Sequence, residues 1–138
     1  MSNTTGGCLC GAIRYTISAD PQLVAACHCK DCQKQTGTAY SVLLGVAADA
    51  VSIDKGTLKV FEKSGTSGLP VERKFCGDCG SPILSDAKAI EGLLFVKGGT
   101  LDDPTAIPVG AEIWCESKAE WANLPESIPK MPANPPAG

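Results

Sequence analysis

The residues best suited to chemistry form a dense cluster of thiols within six positions of the chain. They follow a C-x-C-x-x-C pattern and comprise Cys27, Cys29 and Cys32. Thiolate sulfur is a soft ligand, and zinc is a metal that proteins commonly hold with it. So compact a cluster serves packing alone only rarely, and it therefore predicts a metal site.

Two further pairs of cysteines also have the spacing of metal ligands. One pair is C-x-C with a glycine on each side, and the other is C-x-x-C in the sequence Cys-Gly-Asp-Cys-Gly; the four residues are Cys8, Cys10, Cys76 and Cys79. Glycine lets the backbone turn tightly around a metal and leaves backbone N–H groups free to face the sulfurs. Both pairs are therefore candidate zinc ligands.

The seven clustered thiols divide in two ways. In the first grouping, the two outer pairs close one four-sulfur site, and the central triplet forms a three-sulfur site with a vacant position. In the second, two C-x-x-C pairs form a zinc ribbon from Cys29, Cys32, Cys76 and Cys79. Spacing alone does not decide between them. The first grouping leaves no thiol over, whereas the second leaves Cys8, Cys10 and Cys27.

The choice of grouping bears on function. A zinc ion with four thiolate ligands is saturated and stabilises a fold, whereas one with three can take water or a substrate atom. His28, between two candidate ligands, is expected to point away from their metal and to make a structural hydrogen bond; the alternative is a ligand or proton carrier. Cys115 is expected to be a buried apolar residue. If it joined the triplet instead, the second site would close.

Composition limits the function classes. The chain has 138 residues, which suits one domain, and its formal net charge of −3 disfavours nonspecific nucleic-acid binding. No apolar run reaches transmembrane length. The polar first residues show no signal peptide, so we expect a cytoplasmic protein whose eight cysteines are reduced and not paired as disulfides.

Hydrophobic periodicity predicts a mainly β fold, a compact zinc-stabilised structure of small antiparallel sheets. Strands are predicted over residues 13–17, 23–26, 39–46, 51–53, 58–61, 71–75, 81–84, 93–97 and 111–115. The strands at 51–53 and 58–61 are expected to pair as a hairpin. Residues 62–70 are rich in Gly and Ser and predict an exposed loop, either a plain connection or a mobile lid.

Helix is predicted at two places only. Residues 33–36 fit one helical turn that ends at Gly37. The spacing of Ser117 and Glu120 is that of a capping box and predicts one short C-terminal helix over residues 118–123. Residues 1–124 are expected to form the zinc-binding domain, and the proline-rich residues 125–138 a tail with little structure.

Three stretches together resemble the family of glutathione-dependent formaldehyde-activating enzymes, which includes centromere protein V. They are residues 6–15, 27–37 and 75–83, with weaker similarity at 99–104 and at 113–114 together with Trp121. The resemblance covers roughly residues 6–124. The combination of the three motifs in this order is specific, although each alone is weak.

This resemblance implies the first grouping. In the family, the residues that match Cys8, Cys10, Cys76 and Cys79 bind a structural zinc, and those that match Cys27, Cys29 and Cys32 bind the active-site zinc. It also implies a compact β fold and the joining of glutathione to formaldehyde as S-hydroxymethylglutathione. The chain departs from the family pattern at Glu112, where members often carry histidine, and at Cys115.

Our leading hypothesis is a zinc-dependent carbon–sulfur lyase that acts on thiol–aldehyde adducts. Its partners would be a small thiol such as glutathione and an aldehyde, and its cofactors one structural and one active-site zinc ion. One alternative is a nonenzymatic zinc module that binds a protein partner. Another is a metal-buffering or redox-sensing thiol protein. No substrate-binding residue beyond the metal ligands is predicted.

Overall fold

The structure is a computed structural model that describes residues 3–105 and 107–134. Strands dominate these residues, as predicted. They are β1 Thr4–Gly7, β2 Arg14–Ile17, β3 Leu23–Cys27, β4 Ser41–Ala47, β5 Val51–Lys55, β6 Leu58–Ser64, β7 Pro70–Cys76, β8 Pro82–Ala87, β9 Leu93–Lys97 and β10 Ala111–Ile113. One α-helix, α1, spans Lys30–Thr36, and 3-10 turns span Ala48–Ala50, Gly98–Thr100 and Cys115–Ser117.

The strands form two sheets. A three-stranded sheet has the order β1-β2-β5, and a seven-stranded sheet has the order β10-β3-β4-β9-β8-β7-β6. Neighbouring strands are antiparallel except β10 and β3, which are parallel. The mainly β prediction is therefore confirmed.

The main core lies between the two sheets. Tyr15 of the smaller sheet and Ile13, just before β2, are at most 2% exposed, and they belong to one apolar cluster with Leu44, Leu84 and Val96 of the larger sheet. Cross-strand pairing aligns Leu84 with Val96 and Val96 with Leu44, so these side chains share one face. Burial of this face is the principal apolar contribution to folding.

The other face of the large sheet carries α1 and a second apolar cluster. Phe95, Leu43 and Ala25 belong to this cluster together with Cys27 and Cys32. Strand pairing places Leu43 opposite both Ala25 and Lys97 on this face. The two faces thus have separate cores, and the central cysteine triplet belongs to the second.

The segment that follows β9 joins the two sheets. The guanidinium of Arg14 donates to Oδ1 of Asp102 at 2.8 Å, and Thr5 Oγ1 donates to Oδ2 at 2.6 Å. The hydrogen bond from Arg14 is the main reason why the pKa of Asp102 is lowered to about 2. Asp102 lies in the stretch 99–104, one of the two weaker similarities to the family.

Two sequence predictions about the central hairpins were wrong. Residues 51–53 and 58–61 do not pair with each other: β5 pairs with β2, and β6 pairs with β7. The predicted loop at 62–70 is shorter, because β6 continues to Ser64 and β7 begins at Pro70. The hydrogen-bonded ladder with β7 outweighs the low strand propensity of these residues.

The predicted C-terminal helix was also placed wrongly. Residues 118–123 contain no helix, and the local helical element is the 3-10 turn Cys115–Ser117. Trp121 is 72% exposed, so no apolar face is available to stabilise a helix there. The α-helix of the described chain is α1, which begins three residues before the predicted turn at 33–36.

The proline-rich segment after Leu124 contacts the large sheet. Its described part ends at residue 134 and has no strand or helix of regular length. The backbone N–H of Glu112 donates to the carbonyl of Pro129, and that of Met131 donates to the carbonyl of Glu112. This segment therefore covers the outer edge of β10. The boundary at residue 124 stays a prediction.

A buried carboxylate ties this segment to the core. Glu112 is fully buried; its Oε1 accepts from His28 Nε2 at 2.8 Å, and its Oε2 lies 2.9 Å from Lys130 Nζ. Burial would raise the pKa of Glu112, but the ion pair with Lys130 and the hydrogen bond from His28 lower it. Lys130 thus compensates the negative charge of Glu112, which is buried on β10.

We expect Lys130→Met to reduce the free energy of unfolding by about 1–3 kcal/mol, because Glu112 would stay buried without its cation. Urea denaturation of the metal-loaded protein measures this loss. Lys88→Met is the matched control, because Lys88 pairs with Asp86 and Glu72 at the surface and should change stability little. Equal effects of the two substitutions would contradict the role of Lys130.

Candidate metal centres

Four cysteine sulfurs converge where the two sheets meet, and we call them the four-thiol cluster. Cys8 and Cys10 lie in the loop between β1 and β2, Cys76 ends β7, and Cys79 lies in the turn before β8. All four sulfurs lie within 4.8 Å of one another. Sulfur–sulfur distances are 3.6 Å for Cys8–Cys10 and 3.8 Å for Cys10–Cys76.

These distances fit a tetrahedral zinc site. Metal–sulfur bonds of about 2.3 Å give sulfur–sulfur edges of about 3.8 Å in a regular tetrahedron. The loop backbone also supports thiolates, because N–H groups of Ile13 and Asp78 donate to the sulfurs of Cys8 and Cys76. A hydrogen bond from the Ser81 hydroxyl is the largest cause that lowers the pKa of Cys79, to about 5.

Three more sulfurs converge at the start of α1, and we call them the three-thiol cluster. Cys27 ends β3, Cys29 caps α1, and Cys32 lies in its first turn; their sulfurs also lie within 4.8 Å of one another. The N–H of Cys32 donates to the sulfur of Cys29 at 3.2 Å. The helix ends at Gly37, whose left-handed φ of 72° suits glycine.

The helix is fixed in place by Gln33. Its side-chain amide donates to the carbonyl of His28 at 2.7 Å and to that of Ser117 at 3.0 Å. These bonds attach α1 to the chain between two of the thiols and to the turn after β10. They help to hold the start of α1, and with it Cys29 and Cys32, against the end of β3.

Each of the three thiols affects the protonation of the other two. Hydrogen bonds from Cys27 and Cys29 lower the pKa of Cys32 to about 2, and the charges of Lys97 and Arg73 lower it further. The pKa of Cys27 is raised, first by its contacts with Cys29 and Cys32 and then by burial. Neighbouring thiolates repel each other, so full ionisation of the cluster requires a positive ion among them. The donor set fits zinc.

The surroundings of the three-thiol cluster are buried and include a lysine. Cys27 and Cys32 are each 4% exposed. A buried lysine lies close to them: Lys97 is also 4% exposed, and its Nζ donates to Ser41 Oγ at 2.8 Å. Burial lowers the pKa of Lys97, while the charge on Cys32 acts in the opposite direction. Ser41 pairs with Cys27 across β3 and β4 and lies on the same face.

A cavity adjoins Lys97 and Ser41. A cavity of about 600 Å³ is lined by Ser41, Lys97, Tyr40 and Thr100 among others. Its size is in the usual range for small-molecule sites. The three-thiol cluster thus lies near a buried lysine, and that lysine lines a cavity.

His28 and Cys115 form a group of their own with Glu112. A nitrogen of His28, a carboxylate oxygen of Glu112 and the sulfur of Cys115 lie within 4.8 Å of one another. The carboxylate is already paired with His28 and Lys130. His28 therefore makes a structural hydrogen bond and faces away from the three-thiol cluster. Cys115 is half-buried rather than buried, and it is grouped with His28 and not with the triplet.

The folded chain brings the thiols together as in the first of the two groupings. The zinc-ribbon alternative, which joins Cys29 and Cys32 to Cys76 and Cys79, does not occur in this fold. Sequence reasoning missed Lys97 and Arg73 near the triplet. A signal for Lys97 was present, because it ends an otherwise apolar strand, Leu-Leu-Phe-Val-Lys.

The lengths and hydropathy of the helices bear on whether the chain can cross a membrane. No helix in the part of the chain that the structure describes is both long and apolar enough to cross a membrane.

Comparison with solved structures finds a similar fold. A crystal structure of a Rhodobacter sphaeroides protein superposes with a TM-score of 0.56 and 18% sequence identity, covering 75% of this chain and 91% of that one. None of the curated proteins matches the chain. At this identity the likeness shows the fold alone.

The family assignment comes from the sequence pattern as a whole. Residues 3–117 match the family described as glutathione-dependent formaldehyde-activating enzyme, and this range contains both cysteine clusters. The match extends well beyond the three cysteine motifs, since it includes β1 to β10 of the fold. The chain therefore belongs to the family of glutathione-dependent formaldehyde-activating enzymes.

Proposed function

We propose that the protein is a zinc-dependent carbon–sulfur lyase that acts on thiol–aldehyde adducts such as S-hydroxymethylglutathione. The observation that carries this proposal is the unequal division of thiols. Four sulfurs can enclose one ion, while the three-thiol cluster offers an ion three sulfurs only, and Lys97, whose charge interacts with these thiols, lines a cavity. Family membership supports the same chemistry.

The reaction requires no oxidant or reductant. In the synthetic direction, the thiol sulfur bonds to the carbonyl carbon, the carbon–oxygen double bond becomes single, and the thiol proton ends on the new hydroxyl oxygen. In the reverse direction, the carbon–sulfur bond breaks and the sulfur recovers a proton. Negative charge therefore develops on sulfur or oxygen, and a catalyst must stabilise it.

Several residues are placed to provide that stabilisation. Cys27, Cys29 and Cys32 would hold the active-site zinc, which when bound supplies a Lewis acid. Lys97 adds a buried ammonium group, and its hydrogen bond to Ser41 fixes its direction. A buried cation acts strongly on nearby charge because water does not screen it. Cys8, Cys10, Cys76 and Cys79 would hold the structural zinc.

Metal analysis of the purified protein should find two zinc ions per chain, one of which a chelator removes faster. Cys29→Ser should keep one ion and lose activity on glutathione and formaldehyde by more than about tenfold, because substitutions around metal ligands already cost that much. Its melting temperature should change far less than that of Cys76→Ser, since serine can still cap α1 and the main core between the sheets does not include this cluster.

Cys115→Ser is the matched control for this variant. It removes a thiol that lies outside both clusters, and its neighbours His28 and Glu112 are already bonded to each other, so zinc content and activity should stay at the wild-type level. Full activity in Cys29→Ser would refute the catalytic role of the cluster. Two ions that resist the chelator equally, with no activity on any thiol–aldehyde pair, would instead favour the nonenzymatic protein-binding module.

We expect Cys76→Ser to unfold or aggregate, because structural zinc contributes folding energy directly, on the order of 10 kcal/mol in small domains. Cys76 is 1% exposed and contacts the main core as well as the other sulfurs. Circular dichroism and thermal melting, compared with Cys115→Ser, measure the effect. A soluble Cys76→Ser protein with unchanged melting would contradict a structural role for the four-thiol cluster.

A further inference from the structure

The cysteine triplet is interrupted by a buried histidine. His28 lies between Cys27 and Cys29 in sequence, and it is 0% exposed. Its ring nitrogen Nε2 is bonded to the carboxylate of Glu112 and not to a sulfur of the triplet. A residue between two ligands sets their separation and direction without contacting the metal, provided that it is itself held in place. The contacts of His28 therefore bear on the geometry of the three-thiol cluster.

Three hydrogen bonds hold His28. Its backbone N–H donates to the carbonyl of Ile113 at 3.0 Å, its own carbonyl accepts from Gln33 Nε2 at 2.7 Å, and its ring donates to Glu112 Oε1 at 2.8 Å. The first two bonds fix the peptide groups on either side of His28, which lead to the two cysteines. The third bond fixes the side chain. Two of the three partners lie on β10, so this strand is the main support of the residue between the ligands.

The bond between His28 and Glu112 depends in turn on Lys130. Glu112 is also 0% exposed, and its Oε2 forms an ion pair with Lys130 Nζ at 2.9 Å. Carbonyl oxygens direct this ammonium group, because Nζ donates to Ile128 at 2.9 Å and to Pro125 at 3.3 Å. A buried carboxylate that loses its cation is destabilised, and it then turns toward solvent or takes up a proton. Either change alters the acceptor that holds the ring of His28.

The cation comes from outside the part of the chain that matches the family. The family match covers residues 3–117, whereas Lys130 lies in the proline-rich segment. Backbone hydrogen bonds already attach that segment to β10, through the N–H groups of Glu112 and Met131. The ion pair is therefore not needed to cover the edge of the strand, and its buried position next to His28 indicates a second role.

We propose that His28 is a positioning residue for the active-site zinc, and that Lys130 controls it through Glu112. This inference rests on the proposed function, since it assumes that the three-thiol cluster holds that ion. The effect on the thiols is indirect, because it passes through the peptide groups of His28, and Glu112 acts first on β10. Loss of Lys130 should therefore weaken zinc binding at the three-thiol cluster and leave the four-thiol cluster unchanged.

The test is competition between the zinc-loaded full chain and a chelator of known affinity, which gives a dissociation constant for each ion. Lys130→Met should weaken binding of the more labile ion by about tenfold, because groups that support metal ligands typically contribute that much. Lys130→Arg keeps the cation and should keep the wild-type affinity. The tightly held ion should be unaffected in both variants.

A second pair of variants tests the histidine itself. His28→Leu keeps the bulk of the side chain but removes the donor, so the labile ion should again be bound about tenfold more weakly. His28→Gln supplies an amide N–H as the donor to Glu112 and should recover most of the affinity. If Lys130→Met fails to fold, this pair decides the question.

Cobalt reports whether the sulfurs have moved. After the chelator has removed the labile zinc, Co²⁺ takes its place, and its absorption depends on the geometry of the thiolate ligands. Lys130→Met and His28→Leu should shift the cobalt bands, whereas Lys130→Arg should reproduce the wild-type spectrum. A loss of global stability alone leaves the spectrum of the folded protein unchanged.

Val46→Ala is the control matched for stability. Val46 is 0% exposed and belongs to the main core between the sheets, apart from the cluster that contains the thiols. Its truncation should lower the midpoint of urea denaturation by an amount comparable with Lys130→Met, because a cavity is left in the core. The affinity of the labile ion should nevertheless stay at the wild-type level.

Equal affinity of the labile ion in Lys130→Met and in the wild type would overturn the inference, as would an equal loss in Val46→Ala. A chain that holds only one ion would overturn it together with the assignment of the active-site zinc. Failure of the lyase function looks different. In that case Lys130 would still control the labile ion, but no carbon–sulfur bond would form with any aldehyde.

Discussion

Repulsion between clustered thiolates is the constraint on which this structure depends. Sulfurs that lie within 4.8 Å of one another cannot all ionise unless a cation lies among them. The four-thiol cluster takes its members from the loop before β2 and from the turn between β7 and β8. One ion there would therefore join the two sheets at the place where the main core ends.

Side chains alternate between the two faces of the large sheet. One face carries the main core, and the other faces α1 and the three-thiol cluster. Along β8 and β9, Leu84 and Val96 face the smaller sheet and form the main core. Their neighbours Ser85 and Lys97 face the other way, toward α1 and the three-thiol cluster. Polar and charged groups can thus be buried near the candidate site without disturbing the packing between the sheets.

The two positions that we expected to depart from the family pattern lie together in the fold. Glu112 and Cys115 both approach His28, on the side of the sheet away from the triplet. A buried carboxylate needs a compensating cation, and Lys130 supplies it from the proline-rich segment. That segment is consequently part of the support for β10 rather than a free tail. Glu112 and Cys115 therefore affect how β10 is held in place more than they affect the candidate metal ligands.

The sequence by itself determined the mainly β fold, most strands and the residues that gather into the two thiol clusters. These depend on short-range patterns: alternating hydrophobicity, cysteine spacing and glycines beside the cysteines. It did not determine strand partners, so residues 51–53 and 58–61 were paired wrongly. Local capping signals at 117–120 likewise predicted a helix that has no apolar surface to pack against.

Only the tertiary structure decided between the two groupings of thiols, because sulfurs at Cys8 and Cys76 meet through the packing of separate sheets. It also decided the surroundings of the triplet. Arg73 and Lys97 are ordinary strand residues in sequence, and they come together through the register of β7, β8 and β9. Register depends on long-range pairing, and a shift of one residue would turn both cations to the opposite face.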